Sequence, residues 1–439
     1  MKSEARRELS RPKERSICRL GWSVVCLFTI AIPLYISGSG EDVFRLPKEL
    51  LFRLEAILLT VILVVAMITN SIRRSDWPHN LPLRIAIAAT TAAAVIATAA
   101  STNRPLSLEA LGYFSCGLVI FISIYMLVGV SRSAASVVAV GTAASIANAL
   151  LAIMQRLGVW TPFHFEDYID QRMRTTALLG NPNDAGAFLA VCAAAAGAYA
   201  ACRPRSTTAW IIVATTTAGV LATDALTSIV ALGATALALL YLMRDGRRIA
   251  GIALLIAAAA GCFIAVPSLR SRVRTAITTV KRHDYQTLTS QRFVPWNAAL
   301  LMFRDRPWIG LGPGTFRWHY LPYRLRVERR HPDLYLKDVS NFREVHSDHL
   351  QILAEEGLVG YMVFLGNVGL LAAQSFRQRS GGDRSDERRS FARYAAFPLA
   401  TATLFLTIAG FPLELSGVLT PLLFFGAVIA RWSDGENPL

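Results

Sequence analysis

Apolar blocks long enough to cross a bilayer, about 20 residues each, recur along the whole chain. They lie near 20–37, 51–69, 85–101, 111–130, 134–155, 184–202, 209–223, 226–243, 249–266, 350–373, 392–410 and 413–430. Polar residues collect in the gaps between them. This pattern predicts an all-α polytopic membrane protein of about twelve transmembrane helices, since a spanning segment must satisfy its own backbone hydrogen bonds. The blocks at 209–223 and 226–243 are nearly contiguous and predict a tight helical hairpin. The many alanines in the spans favour close packing of small side chains.

One gap breaks the rhythm. Residues 267–345 are mostly polar and separate the ninth block from the tenth. They divide the chain into a transmembrane region at 1–266 with nine spans, a large loop at 267–345, and a second transmembrane region at 346–439 with three spans.

Charge orients this arrangement. Charged residues make up 17% of the chain, against about 25% in a soluble domain. The net charge of +15 would suit a nucleic-acid binder if the cations were pooled on one soluble face. They are not. With a cytoplasmic N-terminus, the segments expected inside hold 23 Lys and Arg. The short outer segments hold chiefly Arg45, Lys48, Arg104, Arg172 and Arg174. The positive-inside rule then places both termini in the cytoplasm and the 267–345 loop outside. The basic leader before the first span also suits a signal peptide. Its apolar region is too long and lacks a small-residue cleavage site, which favours an uncleaved anchor. All six cysteines fall in or beside spans, so no disulfide framework is implied.

The large loop carries fifteen Lys and Arg against six acids, and a loop of this length translocates regardless of its charge. Two readings remain open. The arginines form a solvated surface against anionic headgroups, or some of them hold phosphate oxygens, for which the planar guanidinium fork is suited. Arg292, Arg317 and Arg343 are the candidates for such contacts. Trp296, Leu300 and Phe303 recur at helical spacing and predict an interfacial amphipathic helix ending at Arg304 and Arg306. GLGPGTF, residues 310–316, superficially resembles a phosphate-cradling loop. It lacks the Lys-Ser/Thr ending and a preceding strand, so it reads as a glycine-rich turn that re-aims the chain.

HSDHLQILAEEGLVG, residues 346–360, sets two histidines and three acids at the mouth of the tenth block. Ser347 and Asp348 suit a helix start, and Glu355 is a site-shaping candidate. His349 and Glu356 would lie about 10 Å apart on one helix face, too far to share an ion. No DxD occurs in the chain, so no metal site is predicted. A general base at the rim of a membrane cavity is the sharper reading for His346, with His349 as a further substrate contact. Earlier, QRMRTTALLGNPNDAGAFLA spans residues 171–190. Asn181 or Asn183 caps the sixth span there, with Arg172 and Arg174 just before it. A helix N-terminus beside arginines is an anion site.

These stretches together resemble the bacterial O-antigen ligase and polymerase superfamily. GNPNDAGAFL is similar to the family's Gly-x-x-Asn-Pro-Asn start of a span. QRFVPWNAALLMFRDRPWIGLGPGTF resembles its Arg-x-x-x-Trp segment followed by Pro-x-x-Gly-x-Gly. HSDHLQILAEEGLVG resembles its His-Asn-x-x-Leu motif with a later Glu-x-Gly. The resemblance implies an inverting glycosyltransferase in the bacterial inner membrane, working on its periplasmic face without metal, nucleotide or other cofactor. The implied donor is an undecaprenyl-diphosphate glycan. The acceptor is the lipid A–core oligosaccharide in a ligase, or another lipid-linked repeat unit in a polymerase. Matched by position, His346 takes the family's functional histidine and Arg292 its loop arginine, with Arg172 and Arg174 as looser matches. The chain departs from the pattern twice. Ser347 replaces the Asn after the histidine, and the turn TDALTS at 223–228 supplies Asp224 where the family often has an arginine.

Membrane lipids are expected partners and nucleic acid is not. A transporter or flippase would also have twelve spans, but it would bury charge in mid-span and repeat its halves. Here the polar groups gather on one face and in one loop.

Overall fold

The computed structural model describes residues 2–38, 42–72, 76–129, 133–163, 171–243, 267–282, 285–331, 342–377 and 387–434. Among them, nine helices are long and apolar enough to cross a membrane: Ser16–Leu34, Arg45–Ile68, Leu81–Ala99, Arg104–Val128, Ala134–Leu157, Pro182–Cys202, Asp348–Arg377, Glu387–Ile408 and Ser416–Ser433. Thr207–Thr223 and Leu226–Leu242 are apolar but shorter. These eleven fall on eleven of the expected blocks. The block at 249–266 lies outside the described residues.

Local signals explain the ends. Asn103, Ser133, Asn181 and Ser206 each cap the following helix with a side-chain oxygen. Gly158 closes the 134–157 helix in the left-handed conformation at φ 68. The alanine-rich helix Pro182–Cys202 has no polar face and is buried along nearly its whole length, as an all-round apolar helix should be. It packs against Ala134–Leu157, Thr207–Thr223, Leu226–Leu242 and Glu387–Ile408. The expected hairpin has its tight turn, only Asp224 and Ala225. Its two arms nevertheless touch each other little, because each leans on the buried 182–202 helix instead.

The polar stretch before the tenth block is a folded unit, not a loose loop. Helices Phe293–Asp305 and Phe316–Arg330 enclose a second core of Val294, Ala298, Met302, Phe316, Tyr320 and Val327. This differs from the apolar stripe expected at Trp296, Leu300 and Phe303. Leu300 is exposed, and the inward face is the one through Val294, Ala298 and Met302. The reason is tertiary: the Phe316–Arg330 helix covers that face. Several loop arginines are consumed in structural pairs, Arg324 with Glu328 at 2.7 Å and Arg326 with Asp305.

This unit is joined to the membrane bundle by a backbone clip. The helix Asp348–Arg377 breaks at Gly357, with φ 67 and ψ −162. The N–H groups of Leu311 and Gly312 donate to the carbonyls of Ala354 and Glu355 at 3.0 and 2.8 Å. In return, the N–H groups of Leu358 and Val359 donate to Pro307 and Trp308 carbonyls at 2.8 and 3.2 Å. The glycine-rich turn thus supplies the partners that the broken helix lacks. Glu355 completes the joint, accepting from the N–H groups of Gly314 and Phe316 at 2.8 Å each. The other side of the turn is held by Thr102, which donates twice to the Leu311 carbonyl.

A Cβ on Gly357 would stand 2.4 Å from the Trp308 carbonyl carbon, at a φ that L residues rarely adopt. Gly357→Ala should therefore lower the thermal midpoint by several degrees. Gly366→Ala, in the same helix with nothing within 4 Å of the added carbon, should leave it unchanged. Equal midpoints for the two variants would show that the break does not depend on this glycine.

Candidate functional site

Four stretches far apart in sequence meet at one point. The first is the approach to the 182–202 helix. Ala177, in the left-handed region at φ 46, donates its N–H to Gln155 Oε1 at 2.8 Å. Leu178 donates to Asn148 Oδ1 at 2.9 Å, and its carbonyl accepts from Lys48 Nζ at 2.7 Å. Asn181 then caps the helix by accepting from the Asn183 N–H at 2.8 Å.

The second stretch delivers Arg292. Ser290 and Gln291 both have positive φ, 52 and 68, and swing the chain into the 293–305 helix. Arg292 Nη1 donates to the Ala409 carbonyl at 2.7 Å. The third delivers His346, itself left-handed at φ 59. Non-glycine residues seldom occupy this region, and such strain concentrates at functional sites. The fourth, 407–415, is clamped to the third. Ser347 donates to the Thr407 carbonyl at 3.4 Å and the Asp348 N–H to the Gly410 carbonyl at 3.0 Å. Asp348 Oδ2 accepts from the Leu413 N–H at 3.2 Å. Asp348 is therefore buried and ties two segments together, more than the first-turn dipole partner expected of it.

Two cavities open here. A small one of about 40 Å³ is lined by Arg45, Asn181, Asn183, Asp184, Arg292 and His346, with Thr227 and Ser228 from the first turn of the Leu226–Leu242 helix. A large one of about 1160 Å³ has mostly apolar walls and takes in Arg317, Arg343, Glu344, Glu355 and Glu356 near its polar parts. Arg45, Asp184, Phe411 and Leu415 line both.

The candidates from sequence separate accordingly. His346, Arg292, Asn181 and Asn183 come together on the small cavity. Arg317, Arg343 and Glu355 lie on the large one, although Arg317 pairs with Glu109 at 2.7 Å and Glu355 serves the clip. His349 lines neither cavity. Its ring nitrogens lie 3.1 Å from Tyr361 Oη and 3.0 Å from Thr407 Oγ1, and it packs edge-on to Phe364. Arg174 ends the short 3-10 turn Gln171–Arg174 and lines neither cavity. Arg172 sits on the same turn, and its side chain lies outside the described residues.

Four participants escaped the sequence reading. Arg45 Nη2 donates to Asp184 Oδ2 at 3.2 Å, and Arg45 Nη1 stands 3.7 Å from Glu344 Oε1. Phe411 lies between Arg45 and His346: the Arg45 guanidinium is 5.0 Å from its ring centroid and the His346 ring 4.9 Å. The only sequence signal was Arg45 at the outer end of a span, 139 residues from Asp184. Burial, and then the charges of Arg292 and Arg45, push the His346 imidazole down to about 4. It is therefore neutral at pH 7.

Residues 185–365 match the protein-family model Wzy_C, described as O-Antigen ligase. The match covers less than half of the chain, and these residues are similar to O-antigen ligases. The matched stretch begins just after the Asn181 cap and contains Arg292, the clip and His346. Comparison with curated proteins gives no match. The family match lies in a chain whose described residues include nine helices long and apolar enough to cross a membrane, the pattern of a multi-pass membrane protein.

The imidazole has a consequence for stability. An unfolded histidine titrates near 6.5, so between about 4 and 6.5 the unfolded chain binds a proton that folded His346 does not. Stability must then rise with pH across that window and fall on acidification. His346→Asn keeps a residue tolerant of φ near 60 but removes the titration. Its thermal midpoint should fall less than the wild type's between pH 6.5 and 4. Parallel slopes would show that the imidazole is not held neutral.

Proposed function

We propose that this protein transfers a glycan from an undecaprenyl-diphosphate donor to a lipid A–core acceptor on the periplasmic face of the bacterial inner membrane. The observation that carries the proposal is a neutral His346 sharing a small cavity with Arg292, next to a large apolar cavity suited to a lipid chain. The acceptor hydroxyl oxygen attacks the anomeric carbon, and its proton passes to the imidazole. The bond from that carbon to the diphosphate oxygen breaks, and the lipid diphosphate leaves with the electron pair. In-line displacement inverts the anomeric centre.

Each group has a physical task. A general base at this point supplies typically 10²- to 10⁴-fold in rate, and only the neutral imidazole accepts a proton. Arg292, oriented by the Ala409 carbonyl, neutralises charge developing on the diphosphate. Arg172 and Arg174, on the turn before the Asn181 cap, are looser candidates for further positive charge. Asn181 and Asn183 shape the cavity wall. No step needs a metal or a nucleotide.

His346→Ala should abolish glycan transfer while the amount of protein in the membrane stays normal, and full retained activity would sink the general-base role. Because His346 titrates near 4, activity should show no inflection from this group near pH 6.5. Activity should also survive exhaustive chelation. Complementation of ligase-null and polymerase-null strains decides the acceptor. Polysaccharide restored to the lipid A–core supports the ligase reading, and lengthened lipid-linked chains would replace it with polymerisation.

A further inference from the structure

We propose that Arg45 contacts the donor's diphosphate directly, and that Glu344 occupies the phosphate's place on the guanidinium until the donor enters. The inference rests on the donor reading above and adds to it a residue outside the 185–365 match.

Arg45 is built as a receptor and not as a surface cation. Its backbone is fixed by Asp42, whose Oδ1 accepts from the N–H groups of Phe44 and Arg45 at 3.1 and 2.8 Å. One edge of the guanidinium is anchored on buried Asp184, and Phe411 supports the ring-facing side at 5.0 Å. The other edge faces Glu344 at 3.7 Å, beyond hydrogen-bond range. The side chain keeps 39% of its surface exposed and lines both cavities. A guanidinium has five N–H donors in a fixed fork, so anchoring on Asp184 leaves donors for two phosphate oxygens.

Two neighbouring cations are committed elsewhere. Lys48 Nζ donates to the carbonyls of Tyr35, Phe44 and Leu178 at 2.8, 3.0 and 2.7 Å, which uses all three ammonium hydrogens. Arg53 donates twice to Glu49 Oε1, at 3.0 and 2.6 Å. Arg45 thus combines a firm anchor on one edge with a loose carboxylate on the edge that faces open space. A carboxylate held this loosely is displaced by a diphosphate, which brings more charge and more acceptor oxygens.

The test is a binding titration of the full chain in lipid nanodiscs, using undecaprenyl diphosphate without a glycan as the probe. Arg45→Ala should weaken binding by about tenfold or more, as expected for a lost charge-assisted hydrogen bond. Arg45→Lys should fall between, because a point charge lacks the fork. Glu344→Gln, which leaves Arg45 in place, should tighten binding several-fold by removing the competitor, and should have no effect in an Arg45→Ala background. A merely structural Arg45 would not make the Glu344 variant bind tighter. Wild-type affinity in both the Arg45→Ala and Glu344→Gln variants overturns the inference while leaving the donor reading intact. Absence of wild-type binding overturns the donor reading, and this inference with it.

Discussion

The carboxylate of Glu355 is the interaction on which the rest of the arrangement depends. It lies inside a helix that crosses the membrane, yet its two oxygens accept from Gly314 and Phe316, in the polar unit that precedes that helix. Both oxygens of this buried group are thereby paired, as a buried polar group must be. Around them the reciprocal bonds between 307–312 and 354–359 lock the glycine-rich turn into the break at Gly357. The Phe293–Asp305 helix is packed on the same unit, so this joint also fixes where Arg292 stands relative to His346. Arginine and imidazole are 54 positions apart in the chain, and neither could place the other without it.

Around His346 the charges oppose one another. Burial, aided by Arg292 and Arg45, keeps the imidazole unprotonated, while Asp184 and Glu344 hold Arg45. The arginines that would stabilise a leaving diphosphate thus also help keep the base ready to accept a proton. Phe411 lies against both Arg45 and His346, so a change in its shape would disturb the two together.

The membrane architecture was largely legible because a spanning helix writes itself as a long apolar run. His346 and Arg292 were legible only through a family resemblance and their setting in a basic loop. Arg45 was not, because its importance comes from Asp184, Glu344 and Phe411, which are remote in sequence. His349 looked equivalent to His346 by spacing. It lies three positions further on, in the first turn of the Asp348–Arg377 helix, and faces Tyr361 and Thr407, away from the cavities. Glu55 was equally silent: it is fully buried in the 45–68 helix, and neither carboxyl oxygen has a hydrogen-bond partner among the described residues.

The helix break at Gly357 also orders assembly. The hydrogen-bond partners for 354–359 are contributed by 307–312, which the ribosome makes first. A chain inserting in sequence therefore meets the end of this helix with its template already present. An arrest between the two would leave the glycine-rich turn waiting with unpaired backbone groups, and a swap of the segment between molecules would have to carry both halves of the joint. The clip makes the polar unit and the membrane helix one cooperative element, gained or lost together.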